Sequence, residues 1–526
     1  LISNYYRGQK MMTNKTIGLF LLATTFLSSP AGAAALTPTL DTIKREAADL
    51  SGNFVLSELT SALPTGAVEV MIGDKSYYFM PSGENAALLA TLAGTPAGSL
   101  VASENGIFEL NSQKYGFDVA SIPDSVFEYA EGTKDDYNFT VQEADAEGNL
   151  TDKYYKINLK PENFSTSKSI TWTEVSEAQK DDKDDDLSDG KVSAVIAVNL
   201  PNDQTKYFQY TYTKPDNYTV TNTRINDTLG SANVTNVIFN GISSSEGYGG
   251  AIYNTQDNRD VNINADFIGN SSYKEGGAIY NTGILGNITG NFIENHADNF
   301  YEAGAIYNSG IIGNITGNFI KNYTIGSMDK GGAILNESEG VIGDISGNFI
   351  NNESSFYGGA ISNDEYSSIG NITGDFIGNV SRDGGAISNA YEGVLGNITG
   401  NFLNNHGNSQ GGAIFNQFGI MNDITGDFIG NYVNGIATSG GAVFNSGAIR
   451  SITGDFISNY ASPGNYNDYN YDGGAIYNYA NQGDIALIGN ITGNFIGNYV
   501  ISTKERARGG AILNGEKAEI GTVNGK

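Results

Sequence analysis

Gly276-Gly277-Ala278-Ile279-Tyr280-Asn281 and, a few residues on, Asn287-Ile288-Thr289-Gly290-Asn291-Phe292-Ile293-Glu294-Asn295 are two elements that recur through the second half of the chain and set its architecture. The first, read as Gly-Gly-Ala-Ile-x-Asn, occurs ten times in full or with one residue changed, its alanine falling at 251, 278, 305, 333, 360, 386, 413, 442, 475 and 511. Spacing runs from 26 to 36 residues and is most often 27. The second recurs between these copies, with Phe at 267, 292, 319, 349, 376, 402, 428, 456 and 495, an Ile four residues before each and an Asn three after. Phe239 marks a degenerate earlier copy.

Three intervals never change: Ala to Asn, Ile to Phe, and Phe to Asn. The connections do. They span 7 to 13 residues from the first Asn to the Ile, and 7 to 16 from the second Asn to the next Ala. Fixed short strands joined by elastic connections define a solenoid, because strands must stack in register while loops can leave the stack. The expected fold is therefore all-β: a right-handed parallel β-helix of about ten coils over 231–526, at about 4.8 Å per coil roughly 50 Å long. No single coil can bury its own Ile and Phe, whereas stacking yields a continuous apolar column.

Side-chain alternation assigns faces. Ile288 and Phe292 are an even number apart and point inward, with Thr289 and Asn291 outward. Ile279 and Asn281 share one face and Ala278 shares the other with position 280, which is expected to be exposed. Past Phe292 the next-but-one residue is Gly, Glu, Lys, Asn or Ser among the copies, so a bend is expected there. Asn281 and Asn295 are expected at bends, where a short amide tolerates left-handed backbone and can pair with the coils above and below. The Gly-Gly pair allows positive φ and close approach of coils. Ala278, Ile279, Asn281, Ile288, Phe292 and Asn295 are thus read as the structural repeat. Asn-Ile-Thr also matches a glycosylation acceptor, but its recurrence at a core strand favours packing.

Composition agrees. Of 526 residues 68 are Gly, 10 Pro and none Cys, without a G-x-y period, so collagen and disulfide scaffolds are excluded. Fifty-eight acidic against 29 basic residues give a formal charge of −29, which would repel a phosphate backbone, so no nucleic-acid partner is expected. The acidic run Asp181 to Gly190 is not a calcium loop: counted from Asp184, the sixth place holds Asp189 rather than Gly and the twelfth Val195 rather than Glu. Neither a metal site nor a cofactor site is expected.

Three segments are expected along the chain. Residues 1–35 hold upstream residues and a secretory signal: Met11 or Met12, Lys15, the apolar run Ile17 to Leu27, then Ser28-Ser29-Pro30-Ala31-Gly32-Ala33-Ala34-Ala35. That run is too short to span a bilayer, so cleavage near Ala33 to Ala35 is expected. Residues 36–230 form a β-rich region that caps the solenoid, with strands read at 154–159 and 207–212, each followed by a Pro turn. Residues 231–526 are the solenoid, read as truncated at its C-terminus. The tail Ile520-Gly521-Thr522-Val523-Asn524-Gly525 aligns with Ile-Gly-Asn-Ile-Thr-Gly of earlier copies, so further coils are expected beyond it.

Paired Gly-Gly-Ala-Ile and Phe-x-x-Asn motifs within one coil resemble the repeats of chlamydial polymorphic membrane proteins and similar bacterial autotransporter passengers. The resemblance covers about residues 230 to 526 and is carried by Gly277-Ala278-Ile279 and by Phe292 with Asn295, together with their equivalents. It implies Sec export, passage through an outer-membrane barrel that is absent from this chain, and display as an adhesin on the surface of a Gram-negative bacterium. The implied partners are a host-cell receptor, a glycan or a neighbouring bacterial surface.

Parallel β-helices also carry polysaccharide lyases and hydrolases, which need clustered carboxylates on a solvent-facing sheet. The row beside the Phe positions is Asp266, Asn291, Asn318, Asn348, Asp375, Asn401, Asp427, Asp455 and Asn494. Asp427 and Asp455 would lie about 5 Å apart. Because Asn and Asp interchange along it, the row is read as an exposed polar ladder. His296 and His406 are read as four coils apart. No catalytic residue is expected; a lyase or hydrolase, or a purely structural stalk, stands as the alternative. Binding is expected in the longest loop, Tyr460 to Asp472, through Tyr460, Tyr466, Tyr469 and Tyr471.

Overall fold

The computed structural model describes residues 168–200 and 204–525, apart from 228, 230–232, 246, 299–302, 436–437, 463–470, 481–485 and 502–506, together with short strands between 50 and 157 and the adjoining residues 64–65, 67 and 80. The signal read over 1–35 lies outside these residues.

The repeats build a parallel β-solenoid. Its largest face is a sheet of 26 short strands, and a second face stacks 11 strands from Ile225–Asn226 to Ile512–Asn514. The count differs slightly from the expected ten coils. All ten copies of the first element stack, and Ile225–Asn226, which carries no motif, pairs beneath the first of them. Thr219–Thr221 likewise pairs with Val237 to Phe239. A third face holds Ser243–Ser244 to Tyr323–Thr324 and, further on, Val380–Asp383 to Tyr499–Val500, joined through Glu353.

Register is residue for residue. Phe267, Phe292, Phe319, Phe349, Phe376, Phe402, Phe428, Phe456 and Phe495 pair in succession. Their rings stack face to face at 4.7 to 4.9 Å, almost parallel, and Phe239 joins the stack at 5.2 Å. Ile288 and its equivalents, Ile279 and Ala278 fill the remainder of the same core. Val523 pairs with Ile491, the alignment read from the tail.

The bend after Phe falls where expected. Gly269, Glu294, Lys321, Asn351, Gly378, Asn404, Gly430, Ser458 and Gly497 have φ between 51° and 61°. The left-handed residue is thus the one before the ladder Asn, and Asn295 itself is not left-handed. The turn frees the Asn side chain to point inward and bond to its neighbours. Gly276 takes φ 72°, and a Cβ on Gly277 would collide with the carbonyl of Gly304 in the next coil.

Position 280 corrects the alternation reading. Leu335, Ser362, Ser388, Phe415 and Phe444 at this position are buried, and Tyr253, Tyr280 and Tyr307 stack at 5.3 and 5.0 Å. In-register rings shield one another even on the outer side of a strand.

An antiparallel sheet precedes the solenoid. Ile170–Val175, Gln204–Thr213, Lys191–Leu200 and Lys183–Asp184 lie in that order, and Tyr218 N–H closes the Pro215 turn at 3.0 Å. Its apolar side, with Val192, Ala194, Ile196, Phe208, Tyr210 and Tyr212, shares one buried cluster with Ile238 and with the Ile or Leu that follows each Phe from Ile268 to Ile496. Polar contacts fix the docking. Tyr212 Oη donates to Asp266 Oδ2 at 2.7 Å, Tyr218 Oη to Asn264 Oδ1 at 2.7 Å, and Tyr210 Oη to Glu294 Oε1 at 2.8 Å.

Candidate functional site

Three outward rows run side by side along the largest sheet. Ile284, Ile311, Val341, Ser368, Val394, Ile420, Ala448 and Leu487 form the first, one residue per coil. Ile311, Val341 and Val394 are 40 to 44% exposed, large values for branched aliphatics. In the second row, Asn287, Asn314, Asp344, Asn371, Asn397 and Asp423 each donate a backbone N–H to the Oδ1 of the residue one coil earlier, from Asn262 onward, at 2.7 to 3.3 Å. The third row is Thr289, Thr316, Ser346, Thr373, Thr399, Thr425, Thr453 and Thr492, the first five and the last of them exposed.

The anchoring is simple. Ile288 and its equivalents face the core, so the hydroxyl residue after each faces out. A methyl, an amide and a hydroxyl therefore repeat at the strand spacing of about 4.8 Å. Such a surface repeats the same three groups from coil to coil along the face. Asp344 and Asp423 are the carboxylates of these rows. The Asn-Ile-Thr reading needs dividing accordingly: its Ile packs, while its Asn and Thr lie on this exposed face.

Of the expected loop, Tyr460 belongs to a strand. Its ring lies 5.0 Å from Tyr432 and 5.0 Å from Tyr499, and Tyr432 stacks on His406 at 4.3 Å. The four rings form one half-buried column, in which burial lowers the His406 pKa although its hydrogen bond with Asn434 acts the other way. Tyr471 lies in the strand Tyr471–Asp472, paired with Ala507–Arg508, where Arg508 grips the Asp472 carboxylate with two bonds of 2.9 and 2.8 Å. Tyr466 and Tyr469 lie outside the described residues. His296 and His406 share one row, separated by Tyr323, Glu353 and Val380, which is four coils.

The row from Asp266 to Asn494 is corrected. It is not an exposed ladder: Asp266, Asn291, Asn318, Asn348, Asp427 and Asp455 are buried, with Asp375, Asn401 and Asn494 half-buried. The antiparallel sheet lies over its first coils, and each Oδ1 accepts the next backbone N–H. The Asp455 N–H reaches Asp427 Oδ1 at 2.7 Å, and the Asn494 N–H reaches Asp455 Oδ1 at 2.7 Å. Burial raises the Asp266 pKa, opposed by bonds from Asn291 and Tyr212. The carboxylates of this row therefore serve the backbone of the next coil rather than a solvent-facing cleft.

The fold and this face together define a class: a parallel β-solenoid displaying a repeating, largely uncharged lateral array. Residues 264–282 match the Chlamydia polymorphic membrane protein repeat. The matched stretch joins Phe267 and Asn270 to the Gly-Gly-Ala-Ile-Tyr-Asn element ending at Asn281, so both motifs of one coil fall inside it, and the chain resembles those proteins in its repeat. No curated protein and no solved structure matches the chain. No helix among the described residues is long and apolar enough to cross a membrane, which does not bear on β-barrels.

Proposed function

We propose that this chain is an exported cell-surface passenger of the autotransporter type and acts as an adhesin toward a host-cell receptor, a glycan or a neighbouring bacterial surface. The observation that carries the reading is the coil-by-coil array of Ile311, Asn314 and Thr316 and their equivalents on a solenoid of polymorphic-membrane-protein type. A surface location accords with the membrane protein named in that match. The array suits a binding role because exposed, identical groups can engage a repeating ligand without chemistry.

Two measurements test it. Protease added to intact cells should degrade the chain while cytoplasmic markers survive. The purified chain should bind host cells or an immobilised glycan in a saturable manner that free chain competes away. Protection in intact cells would exclude the surface location, and absence of saturable binding to cells and glycans alike would exclude the adhesin role.

A further inference from the structure

One cluster serves neither packing nor the exposed array. Lys330 lies just before a Gly-Gly pair, and Asp364 follows the ladder residue Asn363 in the next coil. Lys330 Nζ sits 2.7 Å from Asp364 Oδ2 and 3.3 Å from Glu337 Oε2. The Asp364 side chain is fully buried, and those of Lys330 and Glu337 are 12% and 17% exposed. Asp364 Oδ1 accepts the Glu365 backbone N–H at 2.9 Å, and Glu337 Oε1 accepts from Tyr307 Oη at 3.3 Å. Tyr307 itself packs with Ala303 and Leu335.

We propose that Lys330 and Asp364 form an intramolecular isopeptide bond that joins adjacent coils, with Glu337 as the proton carrier. The parts match what amide formation needs. A Lys amine is a nucleophile once it loses a proton, and Glu337 Oε2, 3.3 Å from Nζ, is the second carboxylate oxygen within its reach and can take that proton. Burial raises the Glu337 carboxyl against the pull of Lys330; burial lowers Lys330, but the Asp364 and Glu337 charges outweigh it and hold the ammonium well above the ordinary lysine range, so its proton passes to Glu337 only as the bond to Cγ forms. The Glu365 N–H lies where negative charge would gather on Oδ1 during attack at Cγ. Tyr307 is a positioning residue for Glu337.

The step balances. Lys330 ammonium gives a proton to Glu337, and the Nζ lone pair forms a bond to Asp364 Cγ. The Cγ–Oδ2 bond then breaks, and that oxygen leaves as water after taking one proton from Glu337 and one from nitrogen. An ammonium and a carboxylate become an amide and one water, with no oxidant or reductant. Two opposed buried charges, whose desolvation is unfavourable, are replaced by a neutral group. Fixed geometry supplies the approach, which in oriented intramolecular reactions is equivalent to effective molarities of about 10⁵ M or more. In a chain with no cysteine, this would be a covalent staple between coils.

The full chain, purified and digested with trypsin, tests this directly. Unreacted, it is cut after Lys330 and yields the separate peptides 322–330 and 331–382. Reacted, it resists cleavage there and yields a looped peptide spanning 322–382, lighter than the linear sequence by the mass of one water. Fragmentation after a second digestion at glutamate should link Lys330 to Asp364. Lys330→Arg, which keeps the charge but cannot act as nucleophile, and Glu337→Gln should each give peptides of full mass from chains with native circular dichroism. A folded native chain giving full cleavage at Lys330 would overturn the proposal. A looped peptide from folded Glu337→Gln would overturn the role of Glu337.

Discussion

Asn295 Nδ2 donates to Asn322 Oδ1 at 3.0 Å, and the same oxygen accepts the Asn295 backbone N–H at 3.0 Å. Asn322 Nδ2 in turn reaches Phe292 O and Asn352 Oδ1, both at 2.9 Å. One buried amide thus satisfies groups in the coils on either side. That is why an amide recurs here, since the position donates two bonds and accepts two, while a hydroxyl has one proton to donate and a carboxylate none.

Asn322→Leu should be severe although it adds apolar volume. It would leave the Asn295 N–H and amide, and the Phe292 carbonyl, buried without partners, at about 1–3 kcal/mol for each orphan. Amide exchange in the neighbouring coils should accelerate, and the loss in urea unfolding should be at least about 3 kcal/mol on that arithmetic. A loss below about 1 kcal/mol, the worth of one ordinary bond, would mean that water replaces the ladder.

Phe376→Ala removes a buried ring stacked 4.9 Å from Phe349 and 4.9 Å from Phe402. By analogy with core truncations it should lose about 3–5 kcal/mol. Urea unfolding followed by tyrosine fluorescence reads it. An effect no larger than a surface change, within about 0.5 kcal/mol, would contradict the continuous core.

Gly317→Ala should rival it despite adding only a methyl. Gly317 has φ 152°, and its Cβ would collide with the Gly290 carbonyl one coil back, a backbone atom that cannot swing away. The same collision recurs at Gly347 and Gly374, so this glycine is set by coil spacing. A thermal scan showing unchanged stability would require coils further apart than the register allows.

These cases also explain what the sequence could and could not reveal. The Phe and Asn columns were legible because invariant intervals survive every change of loop length, and stacking converts an interval into a contact. Alternation failed where the strand was interrupted. Ile284 is an even number from Ile288, yet Leu285 is the buried one, because Gly286 and Asn287 break the pleat between them. Tyr280 and its equivalents defeated the exposure reading because their rings cover one another. The Asp266 row was misread for a different reason: Tyr212 approaches it from 54 residues away, and no local pattern announces that docking. The exposed Ile311 row carries no signal of its own in the sequence, because the Gly313-Asn314 break interrupts alternation between Ile311 and Ile315.

Docking of the antiparallel sheet should depend on acid. Burial raises the Glu294 pKa, but Lys321 and Lys183, at 3.0 Å each, outweigh it and hold the carboxyl below the usual glutamate range. A depressed carboxylate adds stability above its unfolded pKa of about 4.3, and this is lost as pH falls through the folded value. Asp266 acts oppositely, since its raised pKa means that acid relieves rather than strains it. Glu294→Gln should loosen the segment around Lys183 by roughly 1–3 kcal/mol. Protease cleavage within 176–190 should then be faster at neutral pH and less steeply dependent on acid. Identical cleavage profiles for both proteins would assign the docking to apolar contact alone.

The lateral array and the tyrosine loop make opposite predictions for adhesion. Thr316, Thr373 and Thr399 can be changed to Val, which keeps the branched shape and strand preference while deleting three exposed hydroxyls from one row. Ile311, Val341 and Val394 can be changed to Ser, which removes the apolar stripe. Surface substitutions of this kind should shift stability by no more than about 0.5 kcal/mol each, so circular dichroism should stay native. Because the contacts are multivalent, losing several at once should weaken binding to cells or glycan far more than any single change, by roughly tenfold or more. Deleting 463–470 removes Tyr466 and Tyr469 and leaves the array untouched. If the array carries adhesion, the Val and Ser sets lose it and the deletion does not. The reverse outcome would move the site to the loop, and retention of binding by all three variants would remove both surfaces from consideration.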